Sequence, residues 1–250
     1  MEATVRGDRG ADRGRNRRSH SRSEGWKAGP VPDPVSLLRT SYGDLSAVLS
    51  SLTVEEGWEP TGCAGWTAVD LGFHLLSDAR RALVALHTPA VGPPDTTAID
   101  YWTAWRPPAP GDEEELWSTR IAASVHGGLT GIAARYAETS AAAVVAAGRA
   151  DPAALVGTQG RVLTVADFLS TLTVEAAVHH LDLVVRLDRP GPAAEPLAEV
   201  RRVLEGLLGA PLPASWDDVT AARRGTGREP LTAGDRAELG DRVQAFPLFG

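Results

Sequence analysis

Residues 164–187, TVADFLSTLTVEAAVHHLDLVVRL, read as one helix and hold the side chains with the most chemistry in the chain. Thr164-Val165-Ala166-Asp167 is a capping box, with Asp where Glu or Gln is usual. Pro190 and Gly191 stop the helix, which runs to about Leu187. Glu175 and His179 are an i, i+4 pair, so their side chains meet on one face. His180 is turned about 100° from His179. Asp182 follows Glu175 by two turns and returns to nearly the same face. One carboxylate and one imidazole converging from a helix are two ligands of a divalent-cation site, which needs a third from a facing helix. His74 is the candidate, because it sits mid-helix between Phe73 and Leu75, where an unpaired imidazole is costly to bury. The same Glu-x-x-x-His spacing also describes an ordinary surface pair, and a helix histidine is more often a hydrogen-bonded core or boundary residue than a ligand.

Working outward, residues 34–53 place Leu37, Leu38, Tyr42, Leu45, Val48 and Leu49 on one apolar stripe, behind a first-turn Pro34. After the loop EEGWEPTGCAG, Thr67 and Asp70 form another capping box. The helix they open is expected to reach about His87 and to bury Val69, Phe73, Leu76, Leu83 and Leu86. Residues 89–111 are rich in Pro and Gly and read as a long crossing loop, packed down by Tyr101, Trp102 and Trp105. Residues 113–148 read as a long Ala-rich helix, with a kink expected at Gly127-Gly128. A short hairpin is expected near 155–164, and two shorter helices over 195–209 and 232–245, the last opened by Thr232-Ala233-Gly234-Asp235. Four long helices with one long connection fit a four-helix bundle with a crossover.

The composition supports this and narrows function. The chain has 250 residues, 43% of them hydrophobic and 23% charged, enough to bury a core without a staple. Cys63 is the single cysteine, so no intramolecular disulfide forms and a secreted disulfide scaffold is excluded. No apolar run approaches the roughly 20 residues of a membrane span, and the Arg-rich start lacks the apolar region of a secretory signal. The expected compartment is a reducing cytoplasm. Lysine occurs once, as Lys27, among 25 basic residues, a bias of GC-rich coding.

The net charge of −7 is uneven. Residues 1–27 carry eight basic and four acidic side chains, leaving 17 basic and 28 acidic in the remainder. An acidic body argues against nucleic acid as partner, because duplex binding rests on phosphate neutralisation. Residues 1–30 lack apolar periodicity and read as a disordered basic tail. Residues 31–190 read as the bundle and 191–250 as a short, mostly helical extension. Cys63 could serve as a nucleophile or a ligand, but the favoured reading is a small apolar residue under a loop, and His87 and His126 read as ordinary. There is no GxGxxG, Walker loop or GxSxG.

Three segments carry a family resemblance. Pro60-Thr61-Gly62-Cys63-Ala64-Gly65-Trp66-Thr67-Ala68-Val69-Asp70-Leu71, running into His74, resembles the Cys-Pro-Gly-Trp-Thr-x-x-Asp-x-x-x-His signature of the mycothiol-dependent maleylpyruvate isomerase family, within the DinB-like superfamily. Glu175-x-x-x-His179-His180-x-Asp182-Leu183 is similar to that family's Glu-x-x-x-His-x-x-Asp-Leu helix. Gly225-Thr226-Gly227-Arg228-Glu229-Pro230-Leu231-Thr232 and Phe246-Pro247-Leu248 resemble the C-terminal segment of many actinobacterial members.

The resemblance implies a mainly α, DinB-like four-helix bundle that holds a divalent metal, usually zinc, through His74, Glu175 and His179. It places Asp182 behind them, orienting a ligand imidazole. It also implies mycothiol or a similar small thiol as cofactor. The ionised thiol attacks a small electrophile. Elimination after bond rotation gives isomerisation, and retention of the adduct gives thiol transfer. Ala64 stands where the family has Pro and Leu172 where many members have Arg. The C-terminal part is shorter than the second domain of the true isomerase. Maleylpyruvate is therefore not carried over as the substrate. The alternative reading is a non-catalytic metal-bound bundle serving as a binding or regulatory module.

The tail yields a first prediction. A segment without apolar anchors contributes nothing to a core, so deleting residues 1–30 is expected to leave the melting temperature of the protein unchanged in a thermal scan. A large drop would show that the tail docks on the body.

Overall fold

The computed structural model describes residues 33–105 and 114–250. The tail over 1–30 and the 106–111 end of the crossing loop lie outside the described residues.

The described chain is mainly helical. Helix α1 (Pro34–Ser51) begins at Asp33, whose carboxylate accepts from Ser36 N at 3.0 Å. Helix α2 (Ala68–Leu86) opens on a complete capping box: Thr67 Oγ1 accepts from Asp70 N, and Asp70 Oδ2 accepts from Thr67 N at 3.0 Å. After α3 (Glu114–Ser124) and α4 (Gly128–Ala147), a hairpin of β1 (Leu155–Thr158) and β2 (Arg161–Thr164) pairs Leu155 with Thr164 and Thr158 with Arg161. Helix α5 (Val165–Val184) follows directly, then α6 (Ala194–Leu208), α7 (Asp218–Gly225) and α8 (Ala233–Leu239).

Helices α1, α4, α2 and α5 pack in a closed ring in that order, each against its two neighbours. Leu38, Leu45, Leu76, Ile132, Phe168 and Leu183 fill the middle and are almost fully buried. The extension shares this core. Helix α6 packs on α5 and α1, and Val200, Val203 and Leu204 are buried with the bundle residues. Phe249 stacks on Trp102 of the crossing loop, ring centroids 4.4 Å apart.

Several sequence expectations are corrected. Residues 113–148 are not one kinked helix. Helix α3 ends at Ser124, and Gly127 and Gly128 both take positive φ, +76° and +72°, a left-handed pair where α4 begins. The Thr164 capping box is only half made, because Asp167 Oδ1 accepts instead from Ala98 N at 3.0 Å and ties the crossing loop to α5. On α2, Phe73, Leu83 and Leu86 are only half-buried, and Leu71, Leu75, Ala79 and Ala82 take the inner face. Helix α5 stops at Val184 rather than Leu187, and the segment 232–245 divides into α8 and a 3-10 turn. Helix α7 was not anticipated; its signal was the cap Asp217, which accepts from Thr220 N at 2.7 Å.

Ile132 on α4 is wholly buried at the centre of the ring. Ile132→Ala is expected to cost about 2–5 kcal/mol through lost burial and an unfilled cavity, measured by urea unfolding.

Candidate functional site

The site lies between α2 and α5. His74 is two turns into α2, and Glu175 and His179 occupy successive turns in the second half of α5. His74 Nε2 is 3.3 Å from Glu175 Oε1, and His179 Nε2 is 3.4 Å from the same oxygen. The His74 and His179 rings meet edge to face, centroids 4.8 Å apart, and Trp66 leans on His74 at 5.2 Å. All three side chains keep 14–20% exposure, so solvent reaches them.

Behind this cluster stands Asp182. His179 Nδ1 lies 3.0 Å from Asp182 Oδ2, so the Nδ1–H donates to the carboxylate and Nε2 is turned to Glu175. Arg228, from the loop after α7, grips Asp182 with both arms: Nε to Oδ1 at 2.7 Å and Nη2 to Oδ2 at 2.8 Å. Cys63 Sγ donates to Asp182 Oδ2 at 3.3 Å and sits 3.6 Å from His179 Nδ1.

The loop before α2 is held against α5 by its backbone. Gly62 N donates to the Asp182 carbonyl at 2.9 Å, and Thr61 N to the Trp66 carbonyl at 3.0 Å. A Cβ at Gly62 would collide with Asp182 Oδ1 and come within 3.0 Å of Asp182 Cα, so only glycine permits this approach. Arg120 of α3 fastens the other end of the loop, donating to Gly65 O at 2.7 Å and pairing with Asp70 at 3.2 Å.

The electrostatics follow from these contacts. Burial alone would raise the Glu175 carboxyl, yet hydrogen bonds with His179 and His74 hold it well below the usual carboxylate range. Burial would lower the His179 imidazolium, but Cys63, Asp182 and Glu175 together hold it well above its ordinary value. Asp182 is likewise pulled down against its burial by His179 and Arg228. One residue goes the other way: burial pushes the Asp78 carboxyl up.

His74, Glu175 and His179 offer two imidazole nitrogens and one carboxylate oxygen, all within 4.8 Å of one another. Donors about 2.0–2.2 Å from zinc stand no more than about 4.4 Å apart, so the nitrogen–oxygen spacings here suit such an ion. Cys63, His179 and Asp182 form a second cluster with ligand-type atoms, but Arg228 already neutralises Asp182. His180 is not near either group. It is buried and its Nε2–H donates to the Pro190 carbonyl at 3.0 Å. Two grooves on the bundle surface, one beside Leu83 and Val145 and one beside Arg39 and Tyr42, include none of the cluster residues.

Sequence reasoning missed two participants and ranked a third low. Cys63, favoured as a small apolar residue over a nucleophile or ligand, touches His179 and Asp182. Asp78 was overlooked although it follows His74 by one turn, and its Oδ2 is 3.3 Å from His74 Nε2. Arg228 lies in the quoted C-terminal segment, yet nothing local in that segment reveals its partner on α5.

Fold and site together define a mainly α, DinB-like helical bundle with a two-imidazole, one-carboxylate cluster facing solvent. Within that class, residues 38–184 match the model described as the mycothiol maleylpyruvate isomerase N-terminal domain, and the chain belongs to that family. The fold is similar to the crystal structure of the mycothiol-dependent maleylpyruvate isomerase, with a TM-score of 0.52 and 18% identity over 72% of this chain and 70% of that one. No curated protein sequence matches the chain. Among the described residues no helix is long and apolar enough to cross a membrane.

Gly62 provides the test of this geometry. Gly62→Ala is expected to destabilise the protein by about 1–3 kcal/mol, as overpacking does, because the new methyl displaces either the loop or Asp182. Urea unfolding measures it.

Proposed function

We propose that this protein is a metal-dependent enzyme that uses a low-molecular-weight thiol, mycothiol or a close analogue, in an isomerase or transferase reaction on a small electrophile. The observation that carries the reading is the convergence of His74, Glu175 and His179 with the His179 tautomer set by Asp182. Family membership supplies the thiol. In this reading residues 31–190 are the metal-binding bundle, and residues 191–250 are an extension that supports the site through Arg228.

His74 Nε2, Glu175 Oε1 and His179 Nε2 would hold the cation, most simply zinc. A bound divalent cation stabilises the ionised form of a thiol near neutral pH. The chain's own residues do the rest. Asp182 fixes the His179 ring through Nδ1, and Arg228 holds Asp182 in place and ionised. Trp66 covers one side of His74. Three protein donors are the pattern of a catalytic rather than a structural zinc site, which leaves room for a small ligand.

His179 and the adjacent His180 separate this reading from misassignment. His179→Ala is expected to abolish zinc binding in equilibrium dialysis and thiol conjugation to a model electrophile. His180→Ala is expected to keep zinc, because its ring serves only the Pro190 carbonyl. Loss of zinc from both variants alike would overturn the assignment.

A further inference from the structure

Among the described residues, four buried side-chain polar atoms have no hydrogen-bond partner: Tyr42 Oη, Asp78 Oδ2, Trp102 Nε1 and Tyr136 Oη. Such groups in a native interior are normally satisfied by water or by a ligand. The Tyr42 and Tyr136 rings, on α1 and α4, have centroids 6.0 Å apart, and Tyr42 also lines the groove beside Arg39, which includes no cluster residue.

Asp78 is the one that touches the cluster. Arg81 Nη2 donates to its Oδ1 at 2.7 Å, which fixes the carboxylate. Its Oδ2 makes no hydrogen bond and lies beside the cluster, 3.3 Å from His74 Nε2, as close as Glu175 Oε1 is. Yet Asp78 stands outside the set of mutually adjacent donor atoms formed by His74, Glu175 and His179. It borders the place where a ligand would sit without belonging to the donor set. A carboxylate only accepts, so a guest that satisfies Oδ2 needs a donor group, as a hydroxyl or an amide has.

We infer that Asp78 is a specificity-determining residue of the site, its Oδ2 accepting a hydrogen bond from a hydroxyl or amide group next to the sulfur of the bound thiol. The inference rests on the proposed thiol chemistry and deepens it: the site selects thiols with a polar arm over plain alkyl thiols.

The test compares 2-mercaptoethanol with ethanethiol, which differ by one hydroxyl, as probes of the zinc-loaded full-length protein in calorimetric titrations. The wild type is expected to bind 2-mercaptoethanol more tightly by about tenfold, the strength of a hydrogen bond to a charged acceptor. Asp78→Asn is expected to remove most of that preference while still binding one zinc ion, a double-difference that cancels the intrinsic properties of the two thiols. Asp78→Glu, which keeps the charge and moves the oxygens by one methylene, is expected to reduce the preference by a smaller factor and serves if Asp78→Asn does not fold. An equal preference in wild type and Asp78→Asn overturns the inference alone, as does absence of any preference in a wild type that binds both thiols. Loss of zinc from Asp78→Asn would make Asp78 a cation ligand and also overturn it. Failure of the zinc-loaded wild type to bind either thiol would overturn the proposed function and this inference with it.

Discussion

At the Asp182 carboxylate, three elements far apart in sequence meet. Arg228 reaches it from beyond α7, Cys63 from the loop before α2, and His179 from the previous turn of the same helix. The Asp182 carbonyl receives the same loop through Gly62. A buried carboxylate without partners is expensive, and removing one partner of a buried pair typically costs about 3–5 kcal/mol. The pair as a whole adds little net stability over a well-packed apolar pair. Its value lies in arrangement: the loop, the imidazole and the C-terminal segment each have one place to be.

The ring of helices explains why the cluster forms between α2 and α5. These helices are neighbours in the bundle, and each presents a carboxylate and an imidazole one turn apart toward the other. On α2 the histidine comes first, His74 then Asp78; on α5 the carboxylate comes first, Glu175 then His179. Glu175 therefore lies between the two imidazoles, while Asp78 is left on the far side of His74 with one oxygen unmatched. The tilt of a single turn separates a residue of the donor cluster from one at its margin.

What was legible in the sequence was what repeats locally. The helices of the ring announced themselves through apolar spacing and, for three of them, through Pro34, Thr67 and Thr164 at their starts. Glu175 and His179 could be paired because helix geometry alone makes i, i+4 neighbours touch. The Gly127-Gly128 break was seen as a kink because sequence shows two glycines but not their left-handed torsions. The contacts of Cys63 and Arg228 were invisible for a different reason. They cross between elements, and no spacing rule links residue 63 or 228 to residue 182.

The Arg228 contact bears on how the chain divides. By sequence the bundle ends near residue 190, and by packing α6 to α8 look like an appendage on its flank. The charge balance at the site ignores that border, because the cation that neutralises Asp182 lies 46 residues downstream of it. During synthesis the bundle is therefore made before its counter-ion exists. An excised bundle, or a chimera that grafts a foreign C-terminus after α5, would carry a bare buried charge directly behind His179. The extension is in this sense an electrostatic organ of the bundle, and the smallest transplantable unit of the site runs from α1 through Arg228.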